Sequence, residues 1–139
     1  MKPQTQTIFG SENGNCFAAC VASILNLPVE EVPNFCALEN WVERTNDWLA
    51  PRGFFFLSVS IPEEEAVLLH LKRAGYHLIM GEAARGCLHS VVGFAGRTIH
   101  DPHPSGGGLQ RAIEYGFLIP LDPSKQEEEG CTARDSMSV

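Results

Sequence analysis

The sequence predicts an α+β domain, with helices first and a mostly antiparallel β-sheet after them. Two observations lead to this class. Apolar residues recur at three- and four-residue steps in the first half, and short aromatic and β-branched runs separated by glycines follow in the second half. The 139 residues, 44% of them hydrophobic and 19% charged, suffice for one core but not for two.

Three helices are predicted. The first begins at Cys16 after a polar, turn-rich segment, and it is apolar almost all round, which is typical of a helix buried in the middle of a domain. The second carries one apolar stripe and stops before Pro51. The third starts with Pro62 and acidic residues, which suit the positive end of a helix. The predicted ranges are 16–26, 37–49 and 62–74, with one further helical turn over 28–33.

The second half of the chain predicts strands that are bounded by glycine turns. A turn through Gly93 and Gly96 is expected to join two of them as a hairpin, and three consecutive glycines mark a later loop. From residue 122 the sequence becomes polar and acidic, so a flexible tail over 122–139 is expected to follow a domain of residues 1–121. The predicted strands are 54–61, 76–80, 89–94, 98–101 and 115–121.

Charge and composition exclude several classes of function. Seventeen acidic against ten basic residues give a net charge of −7, which argues against a nucleic-acid binder or a protein of anionic membranes. The longest mostly apolar stretch, residues 16–25, is too short to span a bilayer, and the first residues lack the apolar part of a signal peptide. Because five cysteines are an odd and modest number, we expect a reduced, cytoplasmic protein.

Cys16 is the first candidate for chemistry, because it opens a helix directly after a Gly/Asn loop. Helix N-terminal N–H groups favour an anion, so this position predicts a lowered thiol pKa and a nucleophilic role. The same N–H groups can donate to a developing oxyanion. The alternative is a small apolar residue of a core helix, since free cysteines are commonly buried and inert. Cys20, one turn later, is expected in the core.

A thiol nucleophile needs a base, and His89 is the best placed of the five histidines because it begins a predicted strand after a turn. Asp101 ends the next strand, twelve residues later, and a hairpin sets residues of neighbouring strands side by side. Asp101 is therefore predicted to orient the His89 ring, with a simple turn carboxylate as the alternative. His100 is expected to point to the opposite face, and His70 and His77 are expected to be structural.

These motifs resemble those of papain-like cysteine peptidases, and most closely the bacteriocin-processing group that removes double-glycine leaders, as a stand-alone bacterial or phage member. Asn-Cys16-Phe-Ala-Ala-Cys-Val-Ala-Ser-Ile-Leu-Asn-Leu resembles the alanine-rich nucleophile helix of that group. His89-Ser-Val-Val-Gly-Phe resembles its histidine strand, and Ile-His-Asp101-Pro resembles its Asp-Pro strand end. The order Cys, His, Asp, with separations of 73 and 12 residues, fits the group, and the likeness covers roughly residues 6–121.

The resemblance implies a papain-like fold and mechanism. Cys16 would attack an acyl carbon, His89 would take the thiol proton and later protonate the leaving amine, and Asp101 would orient His89. Water would then release a thioester intermediate.

The same resemblance implies a glutamine upstream of the cysteine that helps to hold the oxyanion. Its usual place, six residues before the nucleophile, is occupied by Gly10. Gln6 lies ten residues before Cys16 and serves only if the loop between them bulges. Asn13 and Asn15 are alternative amide donors.

A zinc site is the first alternative. Cys16 and Cys20 lie on one helical face, and His100 and His103 offer two imidazoles. The usual two-residue spacing of zinc-binding cysteines is missing, so we expect neither a metal nor another cofactor.

Two further alternatives keep the fold. One is a binding or inhibitor protein with a vestigial triad, which would use an exposed aromatic face made by Trp41, Trp48 and residues 54–56, although their spacing more often indicates core. The other is an acyl-transferase or deamidase with the same triad, because the acyl-enzyme step is shared. For the hydrolase, and equally for the acyl-transferase or deamidase, we expect a peptide or protein substrate and no nucleic-acid or membrane partner. The sequence does not define the oligomeric state.

Overall fold

A computed structural model describes residues 1–10, 13–62 and 64–122. These residues form helices and a five-stranded antiparallel sheet, so the predicted α+β class is confirmed. The helices are α1 (Cys16–Leu25), α2 (Trp41–Leu49) and α3 (Glu65–His70). The strands are β1 (Phe54–Val59), β2 (Tyr76–Ala83), β3 (Leu88–Phe94), β4 (Arg97–His100) and β5 (Leu109–Pro120). Short 3-10 turns cover Val29–Glu31, Phe35–Ala37, Ala50–Arg52 and Leu71–Ala74. Apart from residue 122, the predicted tail lies outside the described residues.

The sheet has the strand order β1-β5-β2-β3-β4 and is antiparallel at every pairing. The predicted hairpin joins β3 to β4, and its turn contains Ala95 and Gly96, both with positive φ. In this hairpin Val92 lies opposite His100, so the start of β3 lies beside the chain that follows β4. The long strand β5 begins at residue 109, six residues before the predicted start, and it lies between β1 and β2.

The main core lies on one face of the sheet, where α1 packs against β3 and β2. Phe17 is fully buried, and its ring meets the rings of Trp41 and Phe56 edge-on at centroid distances of 5.2 and 5.3 Å. The indoles of Trp41 and Trp48 are partly buried against this core, whereas Phe55 is exposed. The helix predicted over 37–49 begins only at residue 41, because Asn40 adopts a left-handed conformation with φ 54°.

The other face of the sheet is covered in part by α3 and the turn that follows it. Leu68 and Leu71 pack there on Ile79, Val91 and Tyr115. The third predicted helix is thus α3 continued by a 3-10 turn up to residue 74. Across the described ranges no helix is both long and apolar enough to cross a membrane.

Candidate active site

The N-terminal segment of the chain lies between α1 and the end of β4. The backbone N–H of Gln4 donates to the Ser23 hydroxyl at 2.8 Å, and the Gln4 carbonyl is 2.7 Å from Nε2 of His100. The N–H of Gln6 donates to the carbonyl of Pro102 at 3.0 Å. These bonds hold residues 4–6 against both the helix and the hairpin.

Asn15 ties the next part of this segment to the start of α1. Its Oδ1 accepts the backbone N–H groups of Thr7 and Ile8 at 2.9 Å each, and its own N–H donates to the Ile8 carbonyl at 3.1 Å. The N–H of Gly14 also donates to the carbonyl of Gly10 at 3.2 Å. A Cβ on Gly14 would lie only 2.6 Å from that carbonyl oxygen, so this close approach requires glycine. These bonds hold Thr7 and Ile8 against the residue that precedes α1.

Cys16 is the first residue of α1, and it is partly exposed. Burial raises the pKa of its thiol, whereas hydrogen bonds to the sulfur from the backbone and hydroxyl of Ser90 and from the N–H groups of Phe17 and Cys16 lower it. Burial is the larger effect, so the pKa of Cys16 lies above its ordinary value. The lowered pKa predicted from the helix N-terminus is therefore wrong. The N–H groups act as predicted, but burial outweighs them, and the thiol is neutral at pH 7.

His89 and Asp101 form a buried pair with side-chain exposures of 2% and 5%. Nε2 of His89 lies 2.6 Å from Oδ1 of Asp101. The same oxygen accepts the N–H of His103 at 2.9 Å, and Oδ2 accepts the N–H of Gly108 at 2.7 Å. Since Nε2 faces the carboxylate, it carries the proton of the neutral ring, and Nδ1 is the nitrogen that can act as a base.

The protonation states of this pair follow from burial and hydrogen bonding. Burial raises the pKa of Asp101, but the hydrogen bonds from His89, His103 and Gly108 together outweigh it, so the pKa lies below its ordinary value. Burial lowers the pKa of His89, assisted by the positive charge of Arg85, and exceeds the opposing effect of Asp101. At pH 7 the site therefore holds a carboxylate beside a neutral imidazole, which is the form that can accept a proton.

Cys16 and His89 are neighbours through the residues around them. Ser90, which contacts the thiol, directly follows His89 on β3. The ring of His89 also meets His103 at a centroid distance of 6.2 Å, and His103 meets Phe9 at 5.5 Å, in the segment that Asn15 ties to α1. The structure thus pairs His89 directly with Asp101 and brings the Cys16 thiol to Ser90, the residue next to His89.

The three amide candidates for the oxyanion differ in their placement. Gln6 is buried; its Nε2 donates one N–H to the Ile8 carbonyl at 3.0 Å, and its Oε1 has no hydrogen-bond partner within the described part of the chain. Asn15 is buried and engaged with the N-terminal segment, to which its Nδ2 also donates through Thr7 Oγ1 at 2.9 Å. Asn13 is exposed. Gln6 is therefore the amide that we retain as a donor for the oxyanion, because Asn15 is already engaged and Asn13 is exposed.

Sequence reasoning did not place Ser90, His103 or Phe9 in this site. Nothing in the spacing of Ser90 and Phe9 marks them, because they enter the site through tertiary contacts. For His103 a signal existed in its position two residues after Asp101, where a backbone N–H can return to the carboxylate as in an Asx turn.

Two residues of the alternative zinc site have other places in the fold. Cys20 is completely buried, as predicted for a core residue, and His100 is engaged with the N-terminal segment. Among residues 1–10, 13–62 and 64–122, no three His, Cys, Asp or Glu side chains are grouped so that they could hold a metal ion. The thiols of Cys16, Cys20, Cys36 and Cys87 are free, and Cys131 lies outside the described residues.

No family model, no curated protein and no solved structure matches this chain. The evidence for its function is therefore the arrangement of its own residues.

Proposed function

We propose that this protein is a papain-like cysteine hydrolase that cleaves a peptide, amide or isopeptide bond through a thioester intermediate. The observation that carries the proposal is the buried hydrogen bond of 2.6 Å between His89 and Asp101. The residue that follows His89 in the sequence, Ser90, contacts the Cys16 thiol. A nucleophile, a base and a group that orients the base are the parts that this chemistry needs.

The first step follows from the neutral resting state of both groups. As Sγ of Cys16 forms a bond to the acyl carbon, its proton passes to Nδ1 of His89, and the carbonyl π electrons move to the oxygen. The Asp101 carboxylate stabilises the imidazolium that forms, because it already accepts the Nε2 proton. Proton transfer in concert with attack removes the need for a resting thiolate, which the buried site disfavours.

The oxyanion of the tetrahedral intermediate needs donors that are in place before the reaction. The backbone N–H of Cys16, at the start of α1, is one donor, and the second N–H of Gln6 Nε2 is the other. The intermediate then collapses: the C–N bond breaks, and the amine leaves with the proton from His89. Water, deprotonated by His89, attacks the thioester and releases the acid and the thiol.

One observation favours a second candidate, a papain-like binding or inhibitor protein. The raised pKa of Cys16 is the property of an inert core thiol as well as of a nucleophile that relies on its base. The two candidates differ in whether the thiol reacts.

Incubation with a defined peptide mixture, analysed by mass spectrometry, tests the proposal. We expect wild-type protein and the Cys36→Ala variant, which lacks an exposed thiol, to cleave the same bonds. Cys16→Ala and His89→Ala should be folded by circular dichroism and inactive. Acid quenching should trap an acyl group on Cys16. Cleavage that persists in Cys16→Ala would refute the proposal, and a stable complex without cleavage would support the binding protein.

A further inference from the structure

Two bulky apolar side chains stand exposed beside the candidate active site. Ile8 is 45% exposed and Phe9 is 53% exposed. The backbone of Ile8 is bonded in both directions to Asn15, the residue directly before the nucleophile. These bonds fix the backbone of Ile8, and with it the start of the Phe9 backbone, relative to the beginning of α1.

Phe9 is also connected to the base. Its ring meets His103 edge-on at 5.5 Å with an interplanar angle of 82°, and His103 meets His89 edge-on at 6.2 Å. Edge contacts of this kind hold an aromatic ring in a defined orientation while leaving much of its surface free. His103 is itself held, because its N–H donates to the Asp101 carboxylate and its Nδ1 lies 2.8 Å from the Ser105 hydroxyl.

We propose that Phe9 determines specificity: it binds a large apolar side chain, aromatic or branched aliphatic, of the peptide substrate. This inference rests on the proposed hydrolase function. An extended peptide advances about 3.3–3.6 Å per residue, so a side chain within a few positions of the reacting bond reaches the exposed part of Phe9. Burial of apolar surface is the favourable interaction that such a ring offers, and it distinguishes a large apolar residue from alanine.

Phe55 provides a matched control. It is the same residue type with a similar exposed fraction, 43%, but it lies on β1, at the opposite edge of the sheet from β4. Replacement of either phenylalanine by alanine removes a ring of similar exposure, and only one of the two contacts His103.

The experiment uses alanine-rich peptides in which a single Phe, Leu or Ala is moved through every position on both sides of the cleaved bond. For the wild-type protein we expect one position at which Phe or Leu raises kcat/KM about tenfold or more over Ala. Phe9→Ala should reduce that ratio close to one, Phe9→Leu should retain most of it, and Phe55→Ala should leave it unchanged.

The outcomes separate this inference from the proposed function. Cleavage that depends on Cys16 but shows no apolar preference, or a preference that survives in Phe9→Ala, would overturn the role of Phe9 while the hydrolase stands. The same loss of preference in Phe55→Ala would also overturn it, because the effect would then be general. Failure of the folded wild-type protein to cleave any peptide or to form an acyl-enzyme would overturn both.

Discussion

The Asp101→Asn substitution changes the His89 environment with little change in shape. The carboxylate accepts Nε2–H of His89 and the N–H of His103 on one oxygen, and the N–H of Gly108 on the other. An asparagine offers one oxygen and one NH2 group. Whichever way the amide turns, one side places donors against donors, and the negative charge that stabilises the imidazolium is gone.

The structure sets the size of this effect. Both side chains are almost completely buried, with 2% and 5% exposure, so water does not screen the pair. A hydrogen bond to a charged group contributes about 1.5–3 kcal/mol. Since ~1.4 kcal/mol corresponds to a factor of ten, kcat should fall by about 10- to 100-fold. The free energy of unfolding should fall by about 1–3 kcal/mol, because a buried donor loses its acceptor.

Two measurements check these values: kcat for a cleaved peptide, and urea unfolding followed by circular dichroism. Asp47→Asn is the control, since it removes the same charge from an exposed position of α2 and should change neither quantity. Unaltered turnover in Asp101→Asn would refute the reasoning and remove Asp101 from the active site.

Three further predictions concern stability. Cys20→Ala should lower the free energy of unfolding but preserve turnover, because Cys20 is completely buried in α1; a folded but inactive variant would contradict its core role. Burial lowers the pKa of His77 from its ordinary value of 6.5, so as the pH falls through that value the unfolded chain binds a proton that the native state does not. Urea unfolding should therefore show a loss of stability below neutral pH that is smaller in His77→Gln, and unaltered in the control His70→Gln at an exposed position. The side chain of Asn46 occupies backbone groups at the edge of β1: it accepts the Phe56 N–H at 2.7 Å and donates to the Phe56 carbonyl at 3.3 Å. Asn46→Ala should lower the free energy of unfolding by about 1–3 kcal/mol and promote self-association, which light scattering detects. A monomeric variant of unchanged stability would contradict this role of Asn46.

The sequence predicted features that are coded locally. Helix α1 begins at Cys16, its C-cap is the left-handed Asn26, and the β3–β4 hairpin turns near Gly96. These follow from the capping residues, glycines and alternating patterns of short segments. The pairing of His89 with Asp101 followed from the hairpin alone, because both residues lie at the same end of neighbouring strands.

Features that depend on tertiary burial were not predictable. The first half of β5 was missed because Gln110, Arg111 and Glu114 are exposed there and lack an apolar pattern. Whether the pKa of Cys16 is raised or lowered depends on how deeply the start of α1 is buried. The helix dipole argument contains no information about that burial. The contacts of Ser90 with the thiol likewise appear only when α1 packs on β3.

The central claim, that His89 activates Cys16, is tested most directly by the rate at which iodoacetamide alkylates Cys16, mapped by mass spectrometry, in wild-type protein and His89→Ala. Both groups are neutral at pH 7, so the reaction there needs the imidazole as a base. We expect about 100-fold slower alkylation of Cys16 in His89→Ala at neutral pH, a difference that shrinks at alkaline pH, and no change at Cys36. Equal rates for Cys16 in the two proteins at neutral pH would contradict the claim.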